Sequence, residues 1–147
     1  MSSLGTFGWI LLVGVFWDFV TSLLGIVGIL GVTDLKIEYL LVYISAIVGS
    51  GLILWLSANS RAIWSKSADD FQRDVLRPSH IVAVIFDAYT SYLGTAQTIL
   101  LRNSRTAFIT IGFGEVWQKT TFEQKMILLL ITALVTLSPI AWSRLRK

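Results

Sequence analysis

The sequence predicts an all-α integral membrane protein. Its four transmembrane helices form two duplicated helical hairpins, with a short amphipathic segment between the halves. Three observations lead there. Of 147 residues, 54% are hydrophobic and only 14% charged, where a soluble domain carries roughly a quarter charged residues, and the mean hydropathy is +0.72. Four apolar stretches approach or reach the length needed to cross about 30 Å of hydrocarbon at 1.5 Å per residue. An eleven-residue phrase in the first stretch returns in the third.

The first stretch runs from about Phe7 to Val32. It lacks the basic flank of a signal peptide, and Asp18 interrupts its apolar run, so it is expected to stay in the mature chain. The second covers about Tyr39 to Ala58, the third about His80 to Leu101 and the fourth about Met126 to Trp142. The whole chain, 1–147, then reads as one membrane domain: a first hairpin over about 7–58, a connector over 59–79 and a second hairpin over 80–143. In the connector, Ser67, Asp69 and Asp70 precede Phe71, Val75 and Leu76. That order suggests a short amphipathic helix capped by Ser67 and stopped, or followed by the third span, at Pro78. Pro139 is expected to kink the fourth span. Trp9, Trp55 and Trp142 stand near span ends, where indole rings settle among headgroups.

With four spans, both termini and the connector share one side. Seven lysines and arginines fall there (Arg61, Lys66, Arg73, Arg77, Arg144, Arg146, Lys147) against five opposite (Lys36, Arg102, Arg105, Lys119, Lys125). This bias points to cytoplasmic termini, and the absence of cysteine suits a bacterial inner membrane. The net charge of +3 sits beside helix ends, so the expected partner is the lipid bilayer rather than nucleic acid.

Residues Val15 to Gly25 align with Val84 to Gly94 at an offset of 69, with six of eleven positions identical. Ile44-Ser45-Ala46-Ile47-Val48 echoes Ile131-Thr132-Ala133-Leu134-Val135 at an offset of 87. The two offsets differ by 18 residues, the length of an insertion between the third and fourth spans. A two-span unit repeated in this way keeps its orientation, so the repeat is parallel rather than inverted.

Asp18, Thr21, Ser22 and Gly25 stand at i, i+3, i+4 and i+7, and so share one helix face. Asp87, Thr90, Ser91 and Gly94 repeat that face. A carboxylate deep in a span is costly and turns away from lipid, toward the bundle or a wet cavity. Glycine admits a neighbouring backbone, so Gly25 and Gly94 are expected at helix contacts. No lysine or arginine lies deep in any span. If the two carboxyls face each other they titrate as a coupled pair, and can share a proton or hold a cation with the hydroxyls as further oxygen ligands.

Between the third and fourth spans, Thr110-Ile111-Gly112-Phe113-Gly114-Glu115 resembles the selectivity filter of potassium channels. The resemblance covers about 15 residues and implies a pore in which backbone carbonyls replace an ion's hydration shell. Glu115 replaces the commoner acidic residue after the filter, and Gln118 stands where that family often has proline. Only Arg102 to Ile109 precede the hexapeptide, too few for a separate pore helix. Read from its own residues, the segment is an interfacial loop or short hairpin.

No metal-ligand cluster, phosphate-binding loop, nucleophilic triad or cofactor motif is visible, and His80 is the single histidine, at a span boundary. The expected function is therefore not enzymatic. It is a small polytopic membrane protein, a homo-oligomer or a subunit of a membrane complex, that forms or contributes to a cation or proton pathway lined by intramembrane Asp, Thr and Ser. Four helices enclose little volume, so a pore is expected between subunits. The alternatives are a noncatalytic accessory or assembly subunit, and a potassium-channel-like pore using the hexapeptide.

Overall fold

A computed structural model describes residues 3–32, 36–67, 69–99 and 112–145. Most of those residues are helical, and none of them is in a strand. Four long helices dominate: α1 (Ser3–Ile29), α2 (Leu40–Ala58), α4 (Arg77–Ile99) and α6 (Phe122–Leu145). Two short ones, α3 (Ser60–Ile63) and α5 (Phe113–Lys119), lie in the connections, and a 3₁₀ turn (Ile37–Tyr39) leads into α2.

The helices pair off by direction. Gly8 of α1 lies near Trp142 of α6, Ser60 after α2 bonds to Ser143 of α6 at 2.7 Å, and Trp64 meets His80 at the start of α4. These contacts gather the starts of α1 and α4 and the ends of α2 and α6 at one end of the bundle. So α1 and α4 run one way, and α2 and α6 the other.

Three segments are long and apolar enough to cross a membrane: Gly8–Ile29, Ile37–Ala58 and Phe122–Leu145. This marks the chain as membrane-embedded, and the distribution of side chains agrees. Trp9, Ile10, Val13 and Phe16 of α1, Leu41 and Leu52 of α2, and Leu130 and Leu134 of α6 are all exposed. Asp18, Thr21, Ser22, Ser50, Thr132 and Thr136 are buried. A continuous apolar coat of this size is unsustainable in water. In hydrocarbon it is the required surface, and polar groups turn inward instead.

Helix α4 is more polar than the other three and is not among the segments that pass on hydropathy. It packs against α1, α2 and α6. Asp87, Thr90, Ser91 and Thr95 face inward, with 0% of each exposed, while Ile81, Val82, Ile85 and Phe86 face out. Polar content is tolerated in this helix because three neighbours cover it.

Small residues set the α2 seam. Ala46, Ser50, Ile53 and Ser57 are its buried positions, spaced four, three and four apart, the repeat of a close helix seam. Ala46 joins Ile26, Val27, Val32, Ile53 and Ala83 in one apolar cluster between α1, α2 and α4. A second cluster joins Tyr92, Leu93 and Ala96 of α4 to Val116 of α5 and Leu128 of α6.

One local expectation is corrected. The connector does not hold an independent amphipathic helix capped by Ser67. The Ser67 hydroxyl contacts that of Ser65, and the cap is Asp69, whose Oδ1 accepts from the Gln72 N–H at 2.7 Å. Pro78 stands in the first turn of α4, as expected of a proline that opens the third long helix. Helical backbone begins at Asp70, passes through a π-turn over Gln72–Leu76 and continues into α4. A proline ring clashes with the carbonyl four residues before it, and a widened turn there relieves the clash while the helix continues. At α6, Thr121 and Gln124 form a reciprocal capping box: Gln124 Oε1 accepts from the Thr121 N–H (2.9 Å), and Thr121 Oγ1 from the Gln124 N–H (3.3 Å). Pro139 lies inside α6.

Ala46 is 0% exposed, so Ala46→Leu is expected to overpack the α2 seam and cost about 1–3 kcal/mol. Ile47→Leu on the outer face should leave stability unchanged. Thermal unfolding in detergent micelles, followed by circular dichroism, checks both.

Candidate functional site, a buried carboxyl–hydroxyl cluster

The contact between α1 and α4 is built around two glycines. A Cβ on Gly25 would collide with the Thr90 carbonyl, and one on Gly94 with the Thr21 carbonyl. The collisions are reciprocal: each glycine receives the backbone of the threonine four residues before the other glycine. Because neither position carries a side chain, the backbones meet directly, and the polar residues one and two turns earlier are forced together.

Asp18, Thr21 and Ser22 on α1 and Asp87, Thr90 and Ser91 on α4 all converge there, each 0–1% exposed. Ser22 Oγ donates a short hydrogen bond to Asp87 Oδ1. Ser91 Oγ donates to Asp18 Oδ1 at 3.4 Å. Thr90 Oγ1 donates to Ser22 Oγ at 3.2 Å, and Thr21 Oγ1 lies 3.1 Å from Ser91 Oγ. The two serine hydroxyls are themselves 3.1 Å apart.

A hydroxyl has one proton to give. With Ser22 committed to Asp87 and Ser91 to Asp18, two matching chains result: Thr90 to Ser22 to Asp87, and Thr21 to Ser91 to Asp18. Each crosses the helix interface twice. The threonines also approach their own helices, Thr21 at the carbonyls of Trp17 (3.0 Å) and Asp18 (3.1 Å), and Thr90 at that of Asp87 (3.1 Å). The two carboxyls lie beside each other. Thr136 of α6 lies near Asp87, but its hydroxyl and Asp87 Oδ2 make no hydrogen bond among the described residues. No lysine, arginine or histidine is bonded to the cluster among the described residues. No group of three or more metal-ligating side chains occurs among them either.

All eight residues singled out from the repeated phrase therefore meet. They come together within one chain. Thr136 was missed. It belongs to a buried stripe on α6 with Leu128, Thr132, Val135, Pro139 and Ser143. Two hydroxyls four residues apart in an apolar span were the available signal.

The hexapeptide lies elsewhere. Thr110 and Ile111 fall outside the described residues. Gly112 is extended, with φ −73° and ψ 160°, and Phe113, Gly114 and Glu115 form the first turn of α5. Helical carbonyls point along the helix axis to bond their own chain; they do not ring an ion as filter carbonyls do. Phe113 packs instead on Tyr92 (ring centroids 5.1 Å apart) and Trp117 (5.7 Å).

Gly25→Ala and Gly94→Ala are expected to pry α1 from α4, each lowering stability by about 1–3 kcal/mol. Gly51→Ala, where a Cβ meets nothing within 4 Å, is the control, and the midpoint of thermal unfolding in detergent is the readout. Compared with known proteins, the chain matches no family model, no curated protein and no solved structure.

Proposed function

We propose that this is a four-span membrane protein that conducts protons, with Asp18 and Asp87 as the carboxyl pair through which each proton passes. The single observation that carries the reading is the buried, symmetric cluster in which two carboxyls meet without a cationic partner. Two facing carboxyls in a site of low dielectric constant are held most cheaply by one shared proton. A proton is favoured over a metal cation on grounds of space. The glycine contacts bring the helices together until the hydroxyls bond one another, whereas a hard cation needs six or more oxygens at its own coordination distance.

The surroundings suit proton movement. Hydroxyls without a protein partner among the described residues lie toward both ends of the cluster. Ser50 and Ser57 of α2 lead to the arginine-bearing end, and Tyr92 and Thr95 of α4 lead the other way. Hydroxyls both give and accept protons, so these are stations between the pair and the two faces. The path runs through one bundle, and an oligomer would carry one path per chain.

In this reading α4 is the fourth span, and the chain is two hairpins related by a parallel repeat: α1 with α2, and α4 with α6. The shared direction of α1 and α4 and the reciprocal contacts of Gly25 and Gly94 support it. The lysine and arginine bias supports a cytoplasmic position for the end carrying Arg61, Arg77 and Arg144.

Two measurements test these statements. In liposomes with an internal pH dye, the wild type should dissipate an imposed pH gradient, and Asp18→Asn and Asp87→Asn should each abolish that flux. Equal flux in wild-type and protein-free vesicles overturns the proposal, as does unaltered flux in both variants. Stable co-purification of another subunit together with absent flux would mark an accessory role instead. For topology, the chain has no native cysteine, so single-cysteine labelling is clean. Asn59→Cys and Lys119→Cys should react with an impermeant maleimide from opposite sides, and Ile85→Cys from neither. Labelling of 59 and 119 from the same side would remove α4 as a span.

A further inference from the structure

The end of the bundle where α2 and α6 finish holds a cavity of about 520 Å³, lined by Ser60, Arg61, Trp64, His80, Ile140 and Arg144. It shares no lining residue with the carboxyl cluster and plays no part in the proton path. Its lining brings two guanidinium groups and no carboxylate.

His80 supplies the second observation. The residue is 7% exposed. Its Nδ1 accepts from the Trp64 Nε1–H at 3.4 Å, so in the neutral ring the proton resides on Nε2. That Nε2 is buried and has no acceptor among the described residues. A buried donor without an acceptor is costly, and calls for one to be supplied. The cavity wall is held in place around it. Arg77 donates to the carbonyls of Ile63 (3.1 Å) and Ser65 (2.9 Å) and lies over the Trp64 ring, 5.3 Å from its centroid. Trp64 is thus fixed between Arg77 and His80, and the Ser60–Ser143 contact ties the connector to the end of α6.

We propose that this cavity is a phosphate-binding site. Arg61 and Arg144 would engage the phosphate oxygens through their planar forks, and His80 would donate from Nε2. The place favours the phosphodiester of an anionic phospholipid. Arg61 follows the last turn of one span, Arg144 and Ile140 belong to the last turns of another, and basic pockets between helices at that level bind lipid headgroups. Free inorganic phosphate carries the same chemistry and is separated from lipid by the test.

The test uses the full chain in detergent, with binding of short-chain phosphatidylglycerol read by native mass spectrometry and by tryptophan fluorescence, in parallel with sodium phosphate. Saturable binding of the lipid is expected. It should weaken about tenfold in Arg61→Gln and in Arg144→Gln, weaken likewise in His80→Phe, and persist in Lys66→Gln, which lies outside the cavity. Circular dichroism confirms that each variant is folded. Saturable binding of phosphate with the same variant pattern, and none of the lipid, assigns the site to the free anion. Absence of saturable binding by either ligand overturns the proposal. Equal weakening in Lys66→Gln also overturns it, because attraction to net charge would then account for the binding.

Discussion

The structure depends on one contact: the direct approach of the α1 and α4 backbones at Gly25 and Gly94. Because the two glycines lie one helical repeat beyond Ser22 and Ser91, and two beyond Asp18 and Asp87, closing that contact determines how far apart the polar groups stand. The carboxyls are not drawn together by attraction. They are delivered by a backbone fit, and the Ser22 and Ser91 hydroxyls then bond to them across the interface, each backed by a threonine hydroxyl. A side chain at either glycine would open the contact and separate the hydroxyl chains at the same time, so packing and chemistry are not independent here.

The rest of the bundle is arranged to make that centre tolerable. A helix carrying Asp87, Thr90, Ser91 and Thr95 would be a poor solute in hydrocarbon on its own. Wrapped by α1, α2 and α6, it buries those groups and leaves Ile81, Val82, Ile85 and Phe86 on its outer side. The same logic explains why the seam on α2 is made of Ala46, Ser50, Ile53 and Ser57. Small side chains let that helix close over α4, and their hydroxyls line the interior rather than the coat.

The two ends of the bundle differ in chemistry. At one, Arg61, Arg144, Trp64 and His80 enclose a basic cavity. At the other, Phe113, Trp117 and Tyr92 form an aromatic row beneath α5, with Lys125 over the Trp117 ring at 4.8 Å. This asymmetry lies outside the repeated phrase. The centre is nearly symmetric because α1 and α4 contribute the same face.

Membrane residence and the polar face were legible in the sequence, because hydropathy is local and a helical face follows from spacing alone. Asp18, Thr21, Ser22 and Gly25, and their counterparts 69 residues on, could be placed on one side of a helix without knowing what that side touches. Several things could not be read in advance: that the two faces meet each other within one chain, that Thr136 joins them from α6, that Pro78 sits inside a continuous helix after a π-turn, and that Phe113–Glu115 is helical. Each depends on which helices become neighbours and at what separation. Those are properties of packing between residues far apart in the chain, and no local pattern encodes them.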